Sequence, residues 1–195
     1  MLRDMAAAPA LYRPTVFWQQ AVSAIARELE ELGVERFRSL PNARMFFVPS
    51  YAHTGYTDDP GSYDNVREAF IERAPHPRGM MGLDQFLSGE TYAYADYRVY
   101  LASNVDAHPY VDRASESEVG EPAEQHVFEG RRFSRSFLNY LLGINFLKRH
   151  VDGSAIKTVL EIGGGFGTLG EILLSDSRND CFYINADIPP TSFAA

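Results

Sequence analysis

The residues with the clearest chemical purpose lie near the end of the chain. The run TVLEI, 158–162, is followed without a spacer by Gly163, Gly164, Gly165 and Gly167. A β-branched and aliphatic run that breaks into glycines, then into the apolar-periodic stretch 168–174, reads as strand, tight turn and helix. Glycine serves such a turn twice: it takes left-handed dihedrals cheaply, and its missing side chain lets a ligand lie against the backbone. The amides that open the next helix suit an anionic group. Two carboxylates flank the turn. Glu161 stands two residues before Gly163, at the end of the first strand-like run. Asp187 stands 20 residues after Gly167, at the end of a second strand-like run, CFYINA. A carboxylate there either accepts hydrogen bonds from ribose hydroxyls or serves as an ordinary turn residue, and the glycine motif before it favours the first.

Two patterns fit these glycines. Glu161, Gly163, Gly165 and Gly167 read as E-x-G-x-G-x-G, which resembles motif I of class I S-adenosylmethionine-dependent methyltransferases. Gly165, Gly167 and Gly170 read as G-x-G-x-x-G, the dinucleotide fingerprint, which would make the chain part of a nicotinamide- or flavin-dependent oxidoreductase. The strand end near Ile162 favours the first register. The turn then opens at Gly163, whereas the dinucleotide register leaves Gly163 and Gly164 without a task. A third reading is non-catalytic: an interaction module whose sheet a partner chain completes.

The surrounding residues narrow the resemblance. With VLEIGGGFGTLGEIL (159–173), YINADIPP (183–190), VGEP (119–122) and SFLNYLL (136–142), the chain resembles the sugar O-methyltransferases of bacterial polysaccharide gene clusters over about 75 residues. The resemblance implies S-adenosyl-L-methionine as cofactor and transfer of its methyl group to a sugar or glycan hydroxyl, in polysaccharide or glycan biosynthesis. It implies that Gly163, Gly165 and Gly167 face the methionine end of the cofactor. Glu161 would fix the turn or the cofactor's ammonium, and Asp187 would hold the ribose. It supplies no matched general base, so no catalytic residue is assigned. An in-line displacement draws most of its rate from positioning, and a base would add about 10²–10⁴-fold. The region before Gly120 carries no specific motif of the family and is compatible with its helical N-terminal segment.

Other candidates are weaker. Of the five histidines, His108 and His126 lie in a long polar stretch from which they could approach a sugar, although a structural role is the expectation for each. No H-x-x-x-H pair or acidic triad supports a metal site. Tyr92, Tyr94, Tyr97 and Tyr100 offer ring faces to a carbohydrate, but packing is the favoured role.

These groups need elements to hold them. Trp18, Val22, Ile25, Leu29 and Leu32 recur at helical spacing and predict a helix over 14–32 that Gly33 stops. RMFFVP, 44–49, suggests a short strand, and 50–63 has turn chemistry. A helix over 64–73 should bury Val66, Phe70 and Ile71, and 74–82 should break it. Residues 83–101 lean to helix. Residues 103–132 read as a long loop with an acidic patch of Glu116, Glu118, Glu121 and Glu124. Ser134 caps a helix to His150 with Phe137, Tyr140, Leu141, Ile144 and Leu147 on one face, and Gly153 marks its exit. The expected fold class is thus α/β. A mainly helical N-terminal region with long loops, 1–133, precedes a capping helix and the first β-α-β unit of a Rossmann-like class I methyltransferase sheet, 134–195, which is incomplete.

Composition sets the outer bounds. The chain has 195 residues, 45% of them apolar, and a formal charge of −8. That charge offers no reason to bind nucleic acid. No apolar run reaches the roughly 20 residues of a membrane span, and the N-terminus lacks the apolar core of a signal peptide. One cysteine, Cys181, in a strand expected to be buried, fits a cytoplasmic protein. A class I sheet needs about seven strands, and the residues from Thr158 onward supply two. The expectation is an N-terminal portion of a longer methyltransferase, inactive alone, whose sheet is completed by a partner chain or by self-association.

Overall fold

The computed structural model describes residues 2–43, 60–73 and 76–195, with the side chains of 60–63 left aside. The strand expected over 44–49, and the turn stretch from 50 to 59, lie outside the described residues. What is described is mixed α/β, mostly helical, with two two-stranded sheets. No helix among the described residues is long and apolar enough to cross a membrane.

The chain opens with α1, Leu2–Ala7, and reaches α2, Val16–Leu32, through a short 3₁₀ turn. Helix α2 follows its apolar spacing. Val22 and Ile25 are buried, and Gly33, at φ 89°, ends it. Trp18 and Leu32, at its two ends, remain partly exposed. Next comes α3, Pro60–Arg73. It starts four residues before the expected position, because proline, with no N–H to lose, is favoured in a first helical turn. Its expected face is not a buried one: Val66 and Phe70 are half-buried and Ile71 is exposed.

Of the expected break at 74–82, residues 77–82 are helix, and 74–75 lie outside the described residues. Helix α4, Pro77–Leu87, begins with proline, and the His76 ring accepts a hydrogen bond from the Arg78 amide at 3.2 Å. Gly89, left-handed at φ 82°, separates it from α5, Glu90–Ser103. The stretch 83–101 therefore holds two helices. Tyr97 and Tyr100 point from α5 into the core, while Tyr92 and Tyr94 stay exposed.

The expected loop over 103–132 contains a hairpin. Strands β1, His126–Phe128, and β2, Arg131–Phe133, pair antiparallel. Both residues between them have positive φ, Glu129 at 51° and Gly130 at 76°. That is the two-residue turn whose twist matches the strands it joins.

Helix α6, Arg135–Lys148, packs on α5. Phe137, Leu138, Leu141 and Ile144 are buried together with Tyr97, Tyr100, Phe133 and Ile172. Ring contacts run from Tyr97 to Phe133 at 5.1 Å and from Phe133 to Phe137 at 6.1 Å. Polar handles of the core are satisfied: the Tyr100 hydroxyl donates to the Val111 carbonyl at 2.7 Å. Ser134 caps α6, its Oγ accepting from the Phe137 amide at 3.0 Å and donating to Glu116 at 2.9 Å. Ser134→Ala breaks both bonds, so it costs about 1–2 kcal/mol, the upper part of the cap range. Urea denaturation of the two proteins checks this.

After a 3₁₀ turn at Gly153–Ala155 come β3, Thr158–Ile162, then α7, Thr168–Leu174, β4, Phe182–Ala186, and α8, Pro189–Ala194. Strands β3 and β4 pair in parallel, with Thr158 opposite Phe182 and Ile162 opposite Ala186. Neither is a buried strand. One face, with Val159, Glu161, Tyr183 and Asn185, turns towards α7. The other is open and apolar, with Ile162 83% exposed, Phe182 66% and Leu160 59%. Cys181 lies just before β4 and is only half-buried. Helix α8 packs on α2, bringing the two ends of the chain together.

Candidate functional site

The glycine turn begins where β3 ends. The Gly163 amide donates to the Ala186 carbonyl at 2.8 Å, carrying the ladder one residue beyond the strand. Gly163, Gly165 and Gly167 then take φ values of 78°, 57° and 83°. Side chains strain such dihedrals by about 1–2 kcal/mol each. The Gly167 amide closes the turn on the Gly164 carbonyl at 3.0 Å.

Three polar side chains hold the turn from within. Glu161 lies beneath it: a Cβ at Gly164 would stand 2.5 Å from Glu161 Oε2 and 2.5 Å from Asn185 Oδ1. Asn185 donates to the Gly165 carbonyl at 2.9 Å. Asp187 accepts from the Gly165 amide at 2.5 Å and, through its other oxygen, from its own neighbour Ile188 at 2.5 Å. The structure thus brings all five sequence-derived residues, Glu161, Gly163, Gly165, Gly167 and Asp187, into one constellation. Asp187 is bonded to the turn itself, and each of its oxygens keeps a second acceptor position. Asn185 was not singled out in the sequence. Its signal is strand alternation, which sets residues 183 and 185 on one face of β4.

Glu161 accepts from two phenols, Tyr140 at 3.2 Å and Tyr183. Burial first, and then the carboxylate opposite, push the Tyr140 hydroxyl up to about 12. Tyr183 is raised in the same sense for the same reasons. A phenol whose folded pKa exceeds its unfolded value of about 10 stabilises the fold fully below pH 10. That contribution is lost as pH rises through about 12. Tyr140→Phe removes one late-ionising phenol, which absorbance titration at alkaline pH detects, and flattens the stability loss between these limits.

Two contacts tie the turn to the N-terminal region, and neither was legible beforehand. Phe166, inside the glycine run, is buried against Ile25, Phe37, Leu40 and Ala43, with its ring 4.4 Å from that of Phe37. Arg38 is buried as well. It reaches Glu116 at 3.2 Å and Glu171 of α7 at 3.0 Å. Glu171 in turn accepts from the Ser117 amide at 2.5 Å. Glu116 also receives the Ser134 amide, at 2.5 Å. Burial raises the Glu116 carboxyl above its ordinary value, and Arg38 opposes that rise. The acidic patch of the sequence is therefore split: Glu116 is an interior strut, while Glu118 and Glu121 pair with arginines at the surface.

The turn opens onto a cavity of about 990 Å³. Its walls include Gly163, Gly164, Gly165, Thr168, Asp187, Ser136 and Tyr140. Asp4, Met5, Leu11, Tyr12, Arg13, Pro14 and Trp18, from the start of the chain, line it as well. His108 and His126 do not line it. His126 lies 3.3 Å from Glu124, and His108 packs on Tyr110. No group of three or more His, Cys, Asp or Glu among the described residues could hold a metal ion. The arrangement offers the Asp187 carboxylate beside the turn and a large, mostly apolar cavity, while Glu161 stays beneath the turn between two phenols. Comparison with protein-family models, with curated proteins and with solved structures finds no match for this chain.

Proposed function

We propose that the glycine turn binds S-adenosyl-L-methionine and that the chain belongs to the machinery of methyl transfer to a sugar hydroxyl. The observation that carries this reading is the register of the turn. Left-handed glycines at 163, 165 and 167 begin directly after β3. Glu161 lies under them, and Asp187 stands at the tip of the neighbouring parallel strand. In this reading the turn faces the amino acid end of the cofactor, Glu161 balances its positive charge, and Asp187 exchanges part of its bonding to Gly165 for the ribose. The cofactor brings a methyl group on a sulfonium, and the protein's task is to align it with the attacking hydroxyl.

Transfer is proposed for a sheet whose open face is covered. With Leu160, Ile162 and Phe182 exposed, a partner chain or a second copy of this chain is expected to cover that face. A cytoplasmic setting is part of the same proposal.

One observation favours a dinucleotide instead. A Cβ at Gly170 would collide with the Tyr183 ring, which is the close-packing role of the last glycine in a dinucleotide fingerprint. That register leaves the left-handed Gly163 unexplained, so we rank it second. Equilibrium dialysis with S-adenosylhomocysteine and with NAD separates the two. Retention of the first alone supports methyl transfer, and retention of NAD alone overturns it.

A further inference from the structure

The cavity at the glycine turn is lined in part by residues near the start of the chain. Asp4, Leu11, Tyr12, Arg13 and Trp18 line it together with the turn, around about 990 Å³, the upper end of what a single small ligand occupies. Its charges are unevenly shared. Asp4 and Asp187 line it, and Glu161 lies directly under the turn, whereas Arg13 is the cation among the described lining residues. Arg13 is already anchored, since its Nε donates to the Ala8 carbonyl at 2.6 Å. Its two Nη groups carry no hydrogen bond or ion pair among the described residues.

The amino acid end of a sulfonium cofactor carries an ammonium and a carboxylate. The acidic groups of the site match the ammonium and the sulfonium, but they repel the carboxylate. A guanidinium offers two parallel N–H donors that fit a carboxylate in fork geometry. We infer that Arg13 binds the carboxylate of the cofactor's amino acid end, so that the N-terminal segment, and not only the sheet, forms the cofactor site. This inference rests on the reading of the glycine turn given above. It also gives the segment 4–18 a task that no motif in it announces.

The test compares S-adenosylhomocysteine with its decarboxylated analogue, which keeps the ammonium, on the full chain and on Arg13→Ala and Arg13→Lys. Arg13 is exposed, and thermal melts verify that the variants fold. The wild type is expected to prefer the carboxylate-bearing ligand at least about tenfold, the worth of one charge-assisted hydrogen bond. Arg13→Ala should abolish the preference and leave the analogue's affinity within about twofold, and Arg13→Lys should keep part of it. Equal binding of both ligands by the wild type overturns the inference while sparing the turn. So does an Arg13→Ala protein that keeps the preference or weakens both ligands alike. Failure of the wild type to bind either ligand overturns the methyltransferase reading, and the inference with it.

Discussion

Replacing Glu116 with alanine lowers the stability of the chain by about 3 kcal/mol, or roughly 6–12 °C in melting temperature. The side chain is buried and accepts from Arg38, from Ser134 Oγ and from the Ser134 amide. Truncation strands a buried guanidinium and an amide next to a helix start. Loss of one partner from a buried pair costs about 3–5 kcal/mol. The lower end applies here because Arg38 keeps Glu171 at 3.0 Å. Acidity modifies the result in a defined sense. The folded Glu116 carboxyl titrates above its ordinary value, burial outweighing the pull of Arg38. Its contribution is therefore fully present below the unfolded pKa and declines as pH rises through the raised value. Glu116→Gln keeps the shape and one acceptor oxygen. It should cost less than alanine and remove that slope, as melts taken between mildly acidic and neutral pH would show.

Gly164→Val is expected to weaken binding of S-adenosylhomocysteine by well over tenfold. Gly164 is buried, and its φ is not left-handed, so the obstacle is space. The new Cβ would meet the carboxylate of Glu161 and the amide of Asn185, both at 2.5 Å. Those two groups hold the inside of the turn, and moving them displaces the Gly165 carbonyl that Asn185 grips. Gly143→Ala is the control. It lies on α6 with nothing within 4 Å of the added carbon, and alanine in a helix interior is favoured by about 0.8–1 kcal/mol. It should stabilise the chain and leave binding unchanged. Ligand titration of both variants, beside their melts, separates damage to the turn from damage to the fold.

Local patterns were legible in the sequence and long-range pairings were not. Helices α2 and α6 follow from apolar spacing, and Ser134 announces its own cap because Oγ needs a nearby amide. The β3–α7–β4 unit follows from an aliphatic run, glycines and a second aliphatic run. The hairpin was missed because its strands are three residues each, too short for alternation to stand out, although Glu129-Gly130 between HVF and RRF carries a turn signal. Strand burial was misjudged for a different reason. Aliphatic composition shows that a face suits a core, not that another element covers it, and in β3 and β4 one face is bare. Within the site, the gathering of Glu161, Asp187 and the glycines was readable because it depends on neighbours within about 25 residues. Arg38 bonding Glu116 across 78 positions, and Arg13 lining the same cavity as the turn, depend on tertiary contacts that no spacing encodes.

The most direct test of the central claim is a ¹H–¹⁵N correlation spectrum of the chain titrated with S-adenosylhomocysteine, and separately with NADH. The account predicts saturable shifts for S-adenosylhomocysteine at Gly163, Gly164, Gly165, Gly167 and Asp187, with smaller ones at Ser136 and Thr168. It predicts none at these amides with NADH. Saturable shifts with NADH but not with S-adenosylhomocysteine, or no response to either at millimolar concentration, would contradict it.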